Sequence, residues 1–254
     1  RRQRQMCIRD RDYVHPETGK TYNVDKLELK TDEGRGFGKA KFILKEGGTL
    51  GDLYTHADLK RDINGNILID DSGNVTAIDN AGDIKLGSVL PKANLAWNNS
   101  FSYKGINAGF LLTARLGGIV YSATQAYLDL YGVSETSAAA RDAGGVWING
   151  RSHVNPQSFY EVVASQSGLP TYYTYSATNL RLQEAHIGYT VPRRWLGNVC
   201  DINVSLVGRN LWMIYCKAPF DPEAVATTNN YYQGIDYFMM PSTRNIGFNI
   251  KINF

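Results

Sequence analysis

The last stretch of the chain, residues 243–254, alternates strictly between apolar and polar side chains. Its apolar positions are Ile246, Phe248, Ile250, Ile252 and Phe254. Alternation with a period of two predicts a β-strand with one apolar face. A length of about ten residues suits a tilted strand that crosses a bilayer, since soluble strands average about five or six. A long strand of a soluble β-sandwich is the alternative for this segment alone.

Other segments repeat this alternation. Residues 94–104 and 106–116 are two long alternating stretches separated by Lys104-Gly105, which predicts a tall hairpin with a minimal turn. The apolar positions of residues 180–191 change parity at Gln183-Glu184, and a β-bulge there would keep one face apolar. The remaining predicted strands cover residues 201–212 and, more weakly, 21–30 and 39–45.

Residues 46–92 contain a series of turn signals. Three similar units end a small turn pair in Gly and continue with a polar and a β-branched residue: Asn64-Gly65-Asn66-Ile67, Ser72-Gly73-Asn74-Val75 and Ala81-Gly82-Asp83-Ile84. Positive φ is accessible to Gly, so these units predict consecutive short hairpins. The acidic and amide residues between 62 and 70 also suggest a calcium loop. However, Gly65 stands fourth, whereas an EF-hand loop needs Gly at its sixth position.

The segment 117–178 is too long for a simple turn, and loops of this length in a compact domain are usually functional. Residues 122–130 and 156–165 have helical spacing. The second predicted helix carries Pro in its first turn and Asn155 as a candidate N-cap.

The connections between the predicted strands sort by length. Residues 31–38, 104–105 and 192–200 are short and would lie on one side of the sheet. The long connections, on the other side, are 46–93, 117–178 and 213–242. Short turns on one side and long loops on the other are typical of outer-membrane barrels. Seven strands without closure would leave open edges in lipid, so the chain is expected to be part of a larger barrel.

Composition and charge narrow the classes of protein that remain possible. The formal net charge of +3 is too small to favour nucleic-acid binding. No run of 18 apolar residues is present, so no membrane-spanning helix is expected. Cys7, Cys200 and Cys216 have no metal-binding spacing and are expected to be independent thiols, with the last two at opposite ends of one strand. No secretory signal is present, and Met6-Cys7-Ile8-Arg9-Asp10-Arg11 looks like a translated adapter, so residues 1–12 are expected to be non-native.

From about Tyr13 to Phe254 the chain resembles the C-terminal portion of SusC/RagA-like TonB-dependent outer-membrane transporters. The matching motifs are Gly208-Arg209-Asn210-Leu211, Lys217-Ala218-Pro219-Phe220-Asp221-Pro222-Glu223, Met240-Pro241-Ser242-Thr243-Arg244, Leu180-Arg181-Leu182, Gly188-Tyr189-Thr190-Val191-Pro192, Thr124-Gln125-Ala126-Tyr127 and residues 91–103. The resemblance implies an all-β fold: the C-terminal strands of a large antiparallel transmembrane barrel whose long extracellular loops contain short helices and hairpins. The implied parent barrel is of the 22-stranded size class that holds a plug.

The same resemblance implies function, partners and location. Such proteins lie in the outer membrane and import glycans, peptides or other large nutrients. They work with a SusD-like surface lipoprotein and are opened by TonB. The plug and the TonB-contacting part would precede this chain, so these strands alone are not expected to transport.

The sequence shows no enzyme chemistry. No nucleophile–base–acid group and no phosphate-binding loop is present, and neither a metal nor another cofactor is expected. Aromatic residues crowd the long loops, and their rings suit both sugar faces and protein interfaces. The candidate contacts for substrate or partner are Trp147, Tyr172, Tyr173, Tyr231, Tyr232 and Tyr237. Packing between the loops is the alternative role for these rings, and a soluble β-rich carbohydrate-binding module is the alternative function for the chain.

Overall fold

In a computed structural model of the chain, residues 13–14, 21–22, 26–29, 39–150, 152–165, 168–197, 200–225 and 233–253 are described. They form two compact units. Unit 1 contains the residues up to Leu90, Ile119–Tyr175 and Val225–Met239. Unit 2 contains Pro91–Gly118, Ser176–Ala224 and Met240–Phe254. The predicted non-native lead, residues 1–12, and the predicted turn at 31–38 lie outside the described residues.

The described chain is mainly β-structure. Its strands are β1 (Tyr13–Val14), β2 (Thr21–Tyr22), β3 (Lys26–Leu29), β4 (Ala40–Lys45), β5 (Asp52–Thr55), β6 (Asp58–Leu59), β7 (Ala77–Ile78), β8 (Ile84–Ser88), β9 (Ala93–Tyr103), β10 (Ile106–Leu116), β11 (Ile119–Ser122), β12 (Val146–Ile148), β13 (Ser152–Val154), β14 (Thr174–Ser176), β15 (Asn179–Val191), β16 (Asp201–Cys216), β17 (Ile235–Asp236) and β18 (Asn245–Asn253). Its helices are α1 (Ala123–Leu130), α2 (Glu135–Asp142), α3 (Pro156–Val163) and a 3-10 helix at Arg193–Leu196. None of the described helices combines the length and apolar composition that a membrane-spanning helix needs.

Unit 2 is built on one antiparallel sheet of five long strands, in the order β18-β16-β15-β10-β9. The predicted hairpin is present, and its two turn residues have left-handed backbone angles, with φ of 47° at Lys104 and 87° at Gly105. The predicted bulge is also confirmed, because the register on β15 skips Gln183 between Leu182 and Glu184. The predicted long strands, the hairpin turn and the bulge are therefore present in unit 2.

The register of this sheet places apolar residues side by side across all five strands. One row joins Phe101, Ala108, Ile187, Leu206 and Phe248. The four large side chains of this row are all exposed, with Phe248 at 77%. Since directly paired residues share a face, the sheet presents one continuous apolar surface within unit 2.

The opposite face of the sheet is polar. Hydrogen bonds cross it from strand to strand: Ser102 Oγ donates to Asn107 Oδ1 at 2.8 Å, and Asn107 Nδ2 donates to Thr190 Oγ1 at 3.1 Å. Asn203 Nδ2 donates to the same hydroxyl at 2.8 Å. A sheet with one apolar and one polar face is the pattern of a barrel wall between lipid and a wet lumen.

Unit 1 contains the buried hydrophobic core. Every buried residue of the core cluster lies in this unit, including Phe42, Leu53 and Tyr121. Its main sheet has the order β3-β4-β5-β8. The helices α1 and α3 pack on this core through their apolar faces, with Ala126 of α1 and Phe159 of α3 among its members.

The strands predicted at 21–30 and 39–45 were wrongly assigned to the barrel. Residues 40–45 do form a strand, β4, but it pairs with β3 and β5 in unit 1. Phe42 and its neighbour Ile43 are both 1% exposed, so both faces of β4 are covered. The alternation of Ala40, Phe42 and Leu44 predicted a strand with one apolar face. The opposite face, which was expected to be polar, carries Ile43 and is also buried. The described long sheet has five strands instead of seven.

The turn signals in residues 46–92 are explained by turn chemistry. Asp62 Oδ1 accepts hydrogen bonds from the N–H groups of Asn64 and Asn66, both at 2.8 Å. Asp70 Oδ1 does the same for Ser72 and Asn74. These carboxylates satisfy local backbone donors, as Asp does in tight turns. No group of three potential metal ligands occurs among the described residues.

The two predicted helices are confirmed. Asn155 caps α3, and its side chain accepts from the N–H of Gln157 at 2.9 Å. The helix α2 was not predicted from the sequence, although Ser134 caps it in the same way. The Ser134 hydroxyl also donates to the buried carboxylate of Asp129 on α1, so that one serine links two helices.

The cysteine prediction is confirmed for the described cysteines, since Cys200 and Cys216 are both free. Cys200 directly precedes β16 and Cys216 is its last residue, so the sixteen-residue strand separates them. Cys7 lies outside the described residues.

The two faces of β18 should differ in their tolerance of charge. Replacing Ile250, on the apolar face, by Arg should cost about 2–4 kcal/mol if the face lies in lipid near the bilayer midplane. Lys251→Gln on the opposite face is the matched control and should be nearly silent. Folding titrations of the intact protein into bilayers measure both. Equal sensitivity at the two positions would contradict the assignment of the faces.

Candidate functional site

Two of the long connections meet within unit 1. β11 and β17 pair in parallel through Tyr121 with Ile235 and Ser122 with Asp236. Ser122 Oγ also donates to Asp236 Oδ2 at 2.6 Å, and both side chains are buried. A buried, satisfied hydrogen bond of this kind fixes the two connections to each other.

An aromatic cluster follows this junction. The ring centroid of Tyr127 lies 6.2 Å from that of Tyr237 and 5.6 Å from that of Phe238. Phe238 has φ of 51°, an unusual backbone angle for a bulky residue, and its N–H donates to Thr124 Oγ1 at 2.7 Å. Tyr237 and Phe238 are both exposed. Strained, exposed aromatic residues are common at binding sites.

A second exposed aromatic surface is the hairpin of β12 and β13. Trp147 stands directly opposite His153, with ring centroids 4.0 Å apart, and the tryptophan is 61% exposed. On the other face of the hairpin, Ile148 and Val154 enter the core. The Asn149 side chain bonds both the N–H and the carbonyl of Ile67. The indole is therefore held on a fixed support.

The adjacent tyrosines Tyr172 and Tyr173 are less exposed than Trp147. Tyr173 is only 3% exposed, and burial, followed by the nearby Asp129, raises the pKa of its phenol. Tyr172 is half-buried against Phe159, at 6.4 Å between ring centroids. The burial of Tyr173 favours the packing role for this ring. Tyr231 and Tyr232 lie outside the described residues.

Unit 2 contains a buried charge cluster at the long-loop end of its strands. Arg181 of β15 is 4% exposed. Its Nη2 lies 2.7 Å from Asp221 Oδ1 and 3.4 Å from Glu223 Oε2. Nη1 donates to Ser242 Oγ at 3.3 Å, and Asn179 Nδ2 donates to Glu223. The segment of Asp221 and Glu223 and the segment of Ser242 are thereby both bonded to β15.

The carboxyl of Asp221 titrates lower than an ordinary aspartate. Burial by itself would raise its pKa, but hydrogen bonds from Ser242, from the N–H of Glu223 and from Arg181 outweigh burial and lower it. Asp221 and Ser242 belong to segments that resemble the transporter motifs. The sequence contains an indication of Arg181 as well, because this charged residue stands between Leu180 and Leu182. Its partners could not be deduced from sequence spacing.

The chain is similar to several known proteins. No family model matches the chain. The chain is similar to TonB-dependent receptor P3 of Formosa agariphila, with 23% identity across 89% of the chain. It spans about a quarter of that relative's length, 24%.

Solved structures with a similar fold include the RagAB peptide transporter, with a TM-score of 0.58 and 16% identity over 92% of the chain and 25% of that protein. The RagAB peptide importer in its closed-closed state matches with a TM-score of 0.51 and 15% identity, over 90% of the chain and 28% of the importer chain. These similarities confirm the predicted resemblance and the predicted barrel fold class.

The Asp221 cluster should govern local stability in a pH-dependent way. Because the folded state lowers the pKa of Asp221, its stabilising contribution is complete above the unfolded pKa of about 3.9 and is lost as pH falls through the lower folded value. Asp221→Asn should reduce protection of residues 217–224 by about 3 kcal/mol at neutral pH, since it leaves Arg181 poorly paired. Hydrogen–deuterium exchange of the intact protein measures this.

Glu223→Gln is the control, because that side chain is 40% exposed and its loss should cost about 1 kcal/mol or less. The wild-type segment should lose protection below about pH 4, and the Asp221→Asn variant should show no such step. Equal protection of this segment in the wild-type protein and in the Asp221→Asn variant would show that the cluster does not hold the loop.

Proposed function

We propose that the chain is the C-terminal part of an outer-membrane TonB-dependent transporter that imports large nutrients, such as glycans or peptides. The observation that carries this proposal is the five-stranded sheet of unit 2, with aligned apolar rows on one face and bonded polar rows on the other. Similarity to a TonB-dependent receptor and to the RagAB peptide transporter supports it.

In this proposal the polar face of unit 2 borders the transport lumen. Glu184 Oε2 accepts from Arg209 Nε at 3.1 Å on this face, and His186 packs against the bare backbone of Gly109. Solvated ion pairs and hydroxyl groups suit a wet passage. The apolar face contacts membrane lipid, because large exposed apolar surfaces are costly in water.

We assign the long connections of unit 1 to the extracellular side, where they contact a SusD-like lipoprotein and the substrate. Trp147 and Tyr237 are the best-supported contacts, since both rings are exposed on fixed supports. Tyr173 is left out because it is buried. TonB would act through a part of the transporter outside this chain.

A soluble carbohydrate-binding module is the second candidate, and the core of unit 1 favours it. Phe42, Leu53 and Tyr121 are buried there as in a water-soluble domain. The exposed apolar face of unit 2 argues against it, because a soluble module would cover that surface. Enzymatic activity belongs to neither candidate; the relatives bear the names of a receptor and of importers.

Fractionation of cells that express the intact protein separates the two candidates. A transporter should appear in the outer membrane, require detergent for extraction and, when deleted, abolish growth on one class of glycan or peptide. Recovery as a soluble monomer without detergent would reject the membrane proposal and leave the binding module.

The exposed aromatic residues should carry part of the partner affinity. Trp147→Ala and Tyr237→Ala should each weaken binding of the lipoprotein or uptake of substrate by about 1–2 kcal/mol, as interface aromatics do. Tyr131→Ala is the control, because Tyr131 is 73% exposed but follows α1 outside both aromatic surfaces. Binding measured with the purified intact transporter gives the comparison. If all three variants behave alike, the aromatic surfaces do not contact the partner.

A further inference from the structure

One amide lies on the otherwise apolar face of the unit 2 sheet. Asn99 of β9 pairs directly with Phe110 of β10, so their side chains share a face. Trp97 and Phe101, two positions before and after Asn99, lie on the same face, and each is 59% exposed. Among the described residues that the register pairs on this face, Asn99 alone carries an amide or a charged group. The apolar surface therefore has one polar position, and it lies in the outermost strand β9.

The rest of the described sheet offers this amide no partner. Its nearest neighbours across the ladder are Phe110 and, on the diagonals, Ala108 and Leu112, which have apolar side chains. The Asn99 side chain makes no hydrogen bond with another described residue. An asparagine side chain has two N–H donors and a carbonyl acceptor, and such groups are almost always bonded where water is excluded.

Membrane lipid cannot satisfy this amide. The row of Asn99 is flanked by two rows of large apolar side chains, one containing Leu206 and Phe248 and the other containing Leu112 and Trp212. If this face contacts lipid, as we propose above, Asn99 lies within the apolar band and away from the headgroups. An amide without a hydrogen bond is costly in hydrocarbon, so its partner must come from protein.

The free edge of β9 is the side from which a partner can reach Asn99. β9 is the outermost described strand of its sheet, and its backbone is paired along one edge only within that sheet. A strand that joined the free edge would bring one side chain to about 4.5–5.5 Å from Asn99, Cβ to Cβ. Approach from above the face is hindered, because Asn99 is partly buried whereas Trp97 and Phe101 stand exposed on both sides of it.

We propose that the barrel strand that pairs with the free edge of β9 carries a hydroxyl or amide side chain opposite Asn99, and that the bond between the two fixes the register of that pair. The inference rests on the proposed membrane location. A slip by one residue would turn the partner side chain to the other face of the sheet. A slip by two would move it to a diagonal position, about 7–8 Å away. Either slip leaves polar groups unpaired in the apolar band, as a mismatched asparagine does in a coiled-coil interface.

The intact protein, folded into lipid bilayers, tests this proposal with two adjacent asparagines. Asn99→Ala should lower the equilibrium constant for folding about tenfold, because it leaves the group opposite without its bond. Asn98→Ala is the matched control, since Asn98 is exposed and pairs with Leu111 on the other face of the same strand. Its effect should be about twofold or less. Unfolding temperatures from heat-dependent gel mobility, measured on protein extracted from membranes, give the same comparison without a refolding step.

Three results would overturn this proposal alone. More favourable folding of the Asn99→Ala variant would mean that the amide faces lipid, since its removal then relieves a cost. Loss of a second copy of the protein from the native mass spectrum of this variant would assign the amide to a contact between copies. Equal effects at both asparagines would show that Asn99 has no specific partner. Extraction of the wild-type protein without detergent would instead reject the proposed membrane location and, with it, this inference.

Discussion

The rest of the structure depends on the exposed apolar face of the unit 2 sheet. Each large side chain on it, such as Leu206 or Phe248, would gain about 1.5–3 kcal/mol by leaving water. The register aligns these residues in rows, so the cost of exposure accumulates over one surface. Unit 1 differs in having a buried apolar core. The chain thus combines a unit with a buried core and a unit whose sheet exposes one apolar face.

The edges of the same sheet impose a second requirement. β9 and β18 are its outermost described strands, and each has one edge unpaired within that sheet. In lipid an unpaired row of backbone N–H and carbonyl groups is too costly to persist, and a closed barrel removes it. In the proposed barrel, membrane lipid covers the apolar face and neighbouring strands pair with the open edges. The chain also spans only about a quarter of the length of the relatives it matches.

Long-range pairing explains which features the sequence could predict. Strict alternation predicted β10 and β18, and the parity change at Gln183 predicted the bulge, because these are properties of one strand. The sheet to which β4 belongs depends on partners distant in sequence, and its alternation resembled that of a barrel strand. Tyr173 looked like a surface ring for the same reason, since local sequence does not show that Asp129 and the core enclose it. The cluster around Arg181 brings together three segments, which no motif spacing describes.

The binding surfaces proposed here share a mode of construction. Trp147 is exposed because Ile148 on the next position is buried and Asn149 is bonded to Ile67. Tyr237 follows Asp236, whose buried bond to Ser122 fixes the backbone one residue earlier. In both places an exposed ring directly adjoins a residue that is held by core packing or by a buried hydrogen bond. Rings held in this way lose little conformational entropy when a partner binds, so more of their contact energy becomes affinity. The long loops can therefore be recognition surfaces without being flexible ones.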